Sequence, residues 1–121
     1  MTTIKQEDFI QSIADAYQFI SYYHPVDFIK AMAEAYEHEQ SPAAKNAIAQ
    51  ILINARMAAE GHRPICQDTG IAVVYLKVGM NVRWDATLSV TDMVSEGVRR
   101  AYTNKENPLR GSIVEIGRSH V

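Results

Sequence analysis

The apolar pattern of this chain changes period once, and that change limits what it can fold into. Up to residue 60 apolar residues recur at three- and four-residue spacing, whereas from residue 71 they run on as IAVVYLKVG, rich in β-branched side chains. The first pattern is the stripe of an amphipathic helix, and the second marks a strand buried on both faces. Between them lies GHRPICQDTG, residues 61–70. Gly61 releases a helix, Pro64 fixes its own φ and keeps Arg63 extended, and Gly70 frees the chain to enter the strand. Helices followed by a small mixed part define an α+β chain, and 121 residues are one domain's worth of material.

Within the helical part, Phe9, Ile10, Ile13, Tyr17 and Ile20 follow a Thr3-to-Gln6 capping-box pattern and predict a helix from about Gln6 to Tyr22. Pro25 ends it by restricting His24 and starts a second helix, with Phe28, Ile29, Met32 and Tyr36 as its stripe, fading near His38. Ser41 followed by Pro42 is an N-cap with proline at the first helical position; Ala44, Ala47, Ile48, Ile51, Leu52 and Ala55 mark the inward face, and Gly61 is the stop. Past the loop, a strand is expected over 71–78, with a turn at Gly79 to Asn81 that lets VRW, 82–84, pair back on it. Ser89 and Asp92 open another helix through Val90, Met93, Val94, Val98, Ala101 and Tyr102, and SIVEI, 112–116, reads as a last strand. Trp84 and the six tyrosines count as core. The single domain 1–121 is thus helical over 1–60 and strand-helix-strand over 65–121, and GRSHV stops without a polar tail, as a fragment of a larger domain would.

A formal charge of -2 and a pI near 6.0 supply no basic surface for nucleic acid. No apolar run approaches the ~20 residues of a membrane span, and MTTIKQEDF lacks a signal-peptide pattern, so a cytoplasmic location is expected. The single cysteine forms no internal disulfide, which leaves Cys66 as apolar filler, reactive thiol or metal ligand. Beside it, Gln67 and Asp68 add an amide and a carboxylate. Chemistry alone leaves three readings open. Cys66 packs inward over local turn hydrogen bonds; or it is a nucleophile with His62 as base; or it is one ligand of a metal centre, without the CxxC or Cys/His spacing of a self-sufficient site. The histidines at 24, 38, 62 and 120 are scattered and read as surface or cap residues, and Arg99 and Arg100 as solvated or paired with Glu96.

PICQDTG, the strand after it, EGVRRAY and the NPLR segment together resemble the N-terminal part of class I fumarases and their iron-sulfur relatives, among them the α subunit of L-tartrate dehydratase. The resemblance implies that Cys66 is one of three cysteine ligands of a [4Fe-4S] cluster whose open iron acts as a Lewis acid in the reversible hydration of fumarate to L-malate. It implies that Gln67 and Asp68 meet the substrate, that Asp68 exchanges a proton with the hydroxyl, and that Arg110 grips a substrate carboxylate. Implied partners are a small dicarboxylate, the remainder of the α region, and a C-terminal or β part, with a homodimer at full length; no nucleic acid and no membrane. With one cysteine the 121-residue chain is expected to be iron-free and inactive alone, with surface exposed on IAVVYLKVG or around Cys66. The competing readings are a tartrate dehydratase α subunit and a non-catalytic interaction or redox-thiol domain.

Overall fold

The computed structural model describes residues 1–65, 71–106 and 109. Among them the order is β1 (Thr2–Lys5), α1 (Gln6–Tyr22), α2 (Val26–His38), α3 (Pro42–Gly61), β2 (Val82–Asp85) and α4 (Val90–Tyr102), an α+β chain. Its contacts group Met1–Gln18 with Thr69–Val121 as one unit and Phe19–Asp68 as the other.

The first unit is built on the packing of α1 against α4. Ser89 caps α4 by accepting the Asp92 N–H at 3.1 Å, and Asp92 in the first turn with Arg99 and Arg100 in the last suits the helix dipole. Ala14 and Tyr17 of α1 meet Val98, Ala101 and Tyr102 of α4 in one buried cluster with Leu109, and Ile13, Ala72, Val74 and Val94 pack against it. The approach is closest at Gly97. A Cβ there would stand 2.6 Å from both Cβ and Cγ2 of Ile13 and 2.9 Å from the Ile10 carbonyl oxygen, so only glycine fits. Buried Gln18 adds a cross-helix bond, donating from Nε2 to the Ala101 carbonyl at 2.6 Å.

The sheet departs from expectation. Residues 71–79 form no strand, and VRW makes no hairpin with them; β2 instead pairs in parallel with β1, Thr2 opposite Val82 and Lys5 opposite Asp85. Side-chain packing at the start of α1 favours this partner: Phe9 meets Trp84 edge-on with ring centroids 5.1 Å apart. Nor do Thr3 and Gln6 form a capping box. Thr3 lies in β1, and Gln6 Oε1 accepts the N–H groups of Thr87 at 2.9 Å and Leu88 at 3.0 Å, tying the start of α1 to the turn that leads into α4. The tyrosines divide as well: Tyr17 and Tyr102 are buried, whereas Tyr75 is 93% exposed and no part of the core. The SIVEI segment lies outside the described residues.

In the second unit, Pro25 sits at the N-cap of α2 rather than at its first helical position, and His38 closes that helix with Nδ1 2.8 Å from the Glu34 carbonyl. The side chain of Ser41 caps α3, with Pro42 first in the helix as the sequence predicts. Ala55 and Ala58 are the buried residues of α3.

Gly97→Ala tests the helix contact. Overpacking of roughly 1–3 kcal/mol outweighs the ~1 kcal/mol that alanine gains over glycine in a helix, so urea and thermal midpoints should both fall. A raised melting temperature would show that the helices do not approach so closely.

Candidate functional site

Cys66, Gln67, Asp68 and Arg110 all lie outside the described residues. The structure describes the frame on either side of the 66–70 stretch, each side within its own unit.

On the entry side, in the second unit, α3 ends in a left-handed turn. His62 adopts the left-handed conformation with φ 49° and ψ 52°, and the N–H groups of His62 and Arg63 both reach the Ala58 carbonyl, Arg63 at 3.2 Å. Gly61 is therefore the last helical residue, and the position that most favours glycine holds a histidine. Aromatic contacts offset that cost: the His62 ring stacks on Tyr22 at 4.6 Å and 12°, and its Nε2 lies 3.3 Å from the Tyr23 hydroxyl. Two residues on, the Ile65 N–H donates to the carbonyl of buried Ser21 at 2.8 Å. The residue before Cys66 is thus pinned to the last turn of α1. Sequence reading counted His62 among surface or cap residues and gave the helix stop to Gly61; it missed the left-handed backbone at His62, for which the stacked tyrosines gave no periodic signal.

On the exit side, in the first unit, the Tyr17 hydroxyl donates to the Val73 carbonyl at 2.7 Å while Ala72 and Val74 pack on the core cluster. Burial pushes the Tyr17 phenol above its ordinary value, so the group stays protonated and remains a donor.

The EGVRRAY segment organises charge on α4. Glu96 receives Arg99 in a bidentate pair at 2.8 and 2.7 Å and Arg100 Nε at 3.2 Å. Arg100 turns its other donors to Glu7 in the first turn of α1, Nη2 to Oε2 at 3.1 Å. The Arg99 hydrogen bonds, reinforced by Arg100 and opposed by desolvation, hold the Glu96 carboxyl down at about 2 from an ordinary 4.5. Arg100 likewise lowers Glu7. Both arginines are consumed by carboxylates, so EGVRRAY braces the helix pair, as the Glu96 pairing expected from sequence implies.

The chain on both sides of residues 66–70 is hydrogen-bonded to helix residues, Ile65 within the second unit and Val73 within the first. Comparison with known proteins places it further. Residues 10–120 match the family model described as Fumarate hydratase (Fumerase). Over 102 residues the chain is 34% identical to a protein of Methanocaldococcus jannaschii provisionally named L(+)-tartrate dehydratase subunit alpha, an alignment that takes in 84% of this chain and 35% of that protein. The chain belongs to the fumarate hydratase family and spans about a third of that relative's length. No helix among the described residues is long and apolar enough to cross a membrane.

Two measurements check this frame. His62→Ala loses the tyrosine stacking and keeps the left-handed strain already present, so it should cost roughly 0.5–1.5 kcal/mol; His62→Gly loses the same contacts but relieves about 1 kcal/mol of backbone strain and should recover most of that loss. Equal midpoints for the two variants would show that φ at 62 is not strained. For Glu96 the folded value lies below the unfolded one, so its contribution is complete above about pH 5 and is lost as pH falls from 4.5 toward 2. Across that window the urea midpoint of the wild type should drop more steeply than that of Glu96→Gln; parallel curves would remove Glu96 from the account.

Proposed function

We propose that the chain is the N-terminal portion of a [4Fe-4S]-dependent hydro-lyase that hydrates fumarate to L-malate and reverses the reaction. The family match over residues 10–120, which takes in PICQDTG, carries this reading. Within it Cys66 is one cluster ligand, Gln67 and Asp68 contact the dicarboxylate, Asp68 gives or takes the proton of the hydroxyl, and Arg110 holds a carboxylate through its planar fork. The name carried by the Methanocaldococcus jannaschii relative favours tartrate as the second candidate substrate.

Alone, the chain does not fit the cluster. The family's cluster takes three thiolates and this chain has one cysteine, and among the described residues no group of three or more His, Cys, Asp or Glu gathers. The chemistry of iron therefore belongs to a longer protein, in which this chain supplies one thiolate, one proton-transferring carboxylate and one carboxylate clamp. Pairing as a homodimer and a location in the cytoplasm are part of the same proposal.

Anaerobic reconstitution of the polypeptide extended beyond residue 121, assayed in parallel with fumarate, malate and tartrate, tests it. Cys66→Ala should lose the visible absorption of the cluster together with turnover. Asp68→Asn should keep the absorption and lose about 10²-fold or more of turnover. Full activity in Cys66→Ala rejects the ligand assignment, and turnover of tartrate alone selects the second substrate.

A further inference from the structure

The segment after the cysteine loop presents its apolar side chains to solvent in the first unit. Ala72 and Val74 pack on the core, but Ile71 is 72% exposed, Val73 59% and Tyr75 93%. Leu76 and Val78 are also exposed. Over 71–75 the inward turn of alternate residues is the period of a strand, and beyond it Leu76 and Val78 lie uncovered. Yet among the described residues no backbone N–H of 71–78 meets a backbone acceptor; the one carbonyl engaged there is that of Val73, by the Tyr17 side chain. Beside the segment lies an apolar hollow of about 280 Å³ between Val74 and Leu76 on one side and Val90, Thr91, Val94 and Ser95 on the other. An open edge, an uncovered apolar face and an unfilled hollow thus coincide.

Resting on the reading of the chain as part of a longer enzyme, we propose that residues 71–78 are a docking strand, completed by a β-strand of the same polypeptide from beyond residue 121. Three observations favour that occupant. The Methanocaldococcus jannaschii relative carries about two thirds of its length outside the match, ample chain to supply it. Among the described residues the sheet has two strands, the parallel β1–β2 pair, and parallel sheets occur with both faces covered, so this unit calls for more sheet and more cover. Parallel in-register pairing of two copies would set Lys77 against Lys77, which disfavours a second chain in that arrangement. The incoming strand places an apolar side chain in the hollow beside Val94 and takes up the unpaired N–H groups of the segment, as β-augmentation does.

Amide hydrogen exchange on the extended polypeptide tests the pairing, with α4 as internal reference. Alternate amides of 71–78 should exchange about 100-fold or more slower than exposed loop amides, at a rate independent of protein concentration. Tyr75→p-benzoylphenylalanine then identifies the partner: photocrosslinks should map to peptides beyond residue 121 of the same molecule. Loop-like exchange at 71–78 while α4 stays protected overturns the proposal. So do crosslinks confined to residues 1–121, or crosslinks to a second copy that vanish on dilution. Neither readout needs cluster or substrate. An inactive protein with a protected 71–78 would therefore sink the hydro-lyase reading alone, and an active one with an unprotected segment would sink this inference alone.

Discussion

The contact of Gly97 with Ile13 and the Ile10 carbonyl sets the spacing of the first unit. A Cβ at 97 has no room, and the same pair of helices meets elsewhere through small side chains, Ala14 and Ala101, both buried. Close approach is what lets Gln18 reach the Ala101 carbonyl and Arg100 reach Glu7. Polar bonds of this kind add modestly to stability, about 1 kcal/mol for a typical one, but they demand a fixed distance between the partners. The glycine supplies that distance, and the core cluster on which Ala72 and Val74 rest inherits it.

How much of this was legible in the sequence follows from how local each signal is. The helices were readable because their apolar period and their caps lie within one turn of each other; α1 over Gln6–Tyr22, and the Ser41 and Ser89 caps, stand where the spacing puts them. The strand β1 was not, since TTIK is polar, four residues long, and defined by a parallel partner some eighty residues away. IAVVYLKVG misled for a related reason: its composition is that of a strand buried on both faces, whereas among the described residues it forms no strand and only Ala72 and Val74 pack on the core. At the helix end, Gly61 drew attention because glycine is cheap in the left-handed region, yet the residue there is His62, held by contacts with tyrosines forty residues earlier. The candidate site was legible only as a motif. Cys66, Gln67, Asp68 and Arg110 were named through resemblance, because a lone cysteine beside a carboxylate has several ordinary explanations.

The frame around the cysteine loop shows a preference for backbone anchors over side-chain ones. Ile65 is pinned by its amide to the Ser21 carbonyl, Arg63 by its amide to Ala58, and Val73 by its carbonyl to the Tyr17 hydroxyl. Backbone bonds leave side chains free and tolerate substitution at the anchored position, so each unit holds its side of residues 66–70 without constraining which side chains stand at Arg63, Ile65 or Val73. The arginines of EGVRRAY make the complementary point. Arg99 and Arg100 have the charge a dicarboxylate requires, but Glu96 and Glu7 already satisfy them, and releasing either would strand a carboxylate whose low pKa depends on it. In the proposed reaction, a substrate carboxylate is therefore left to a cation outside that network. Arg110, in the NPLR segment that shares the resemblance with PICQDTG, is the residue to which the proposed reaction assigns it.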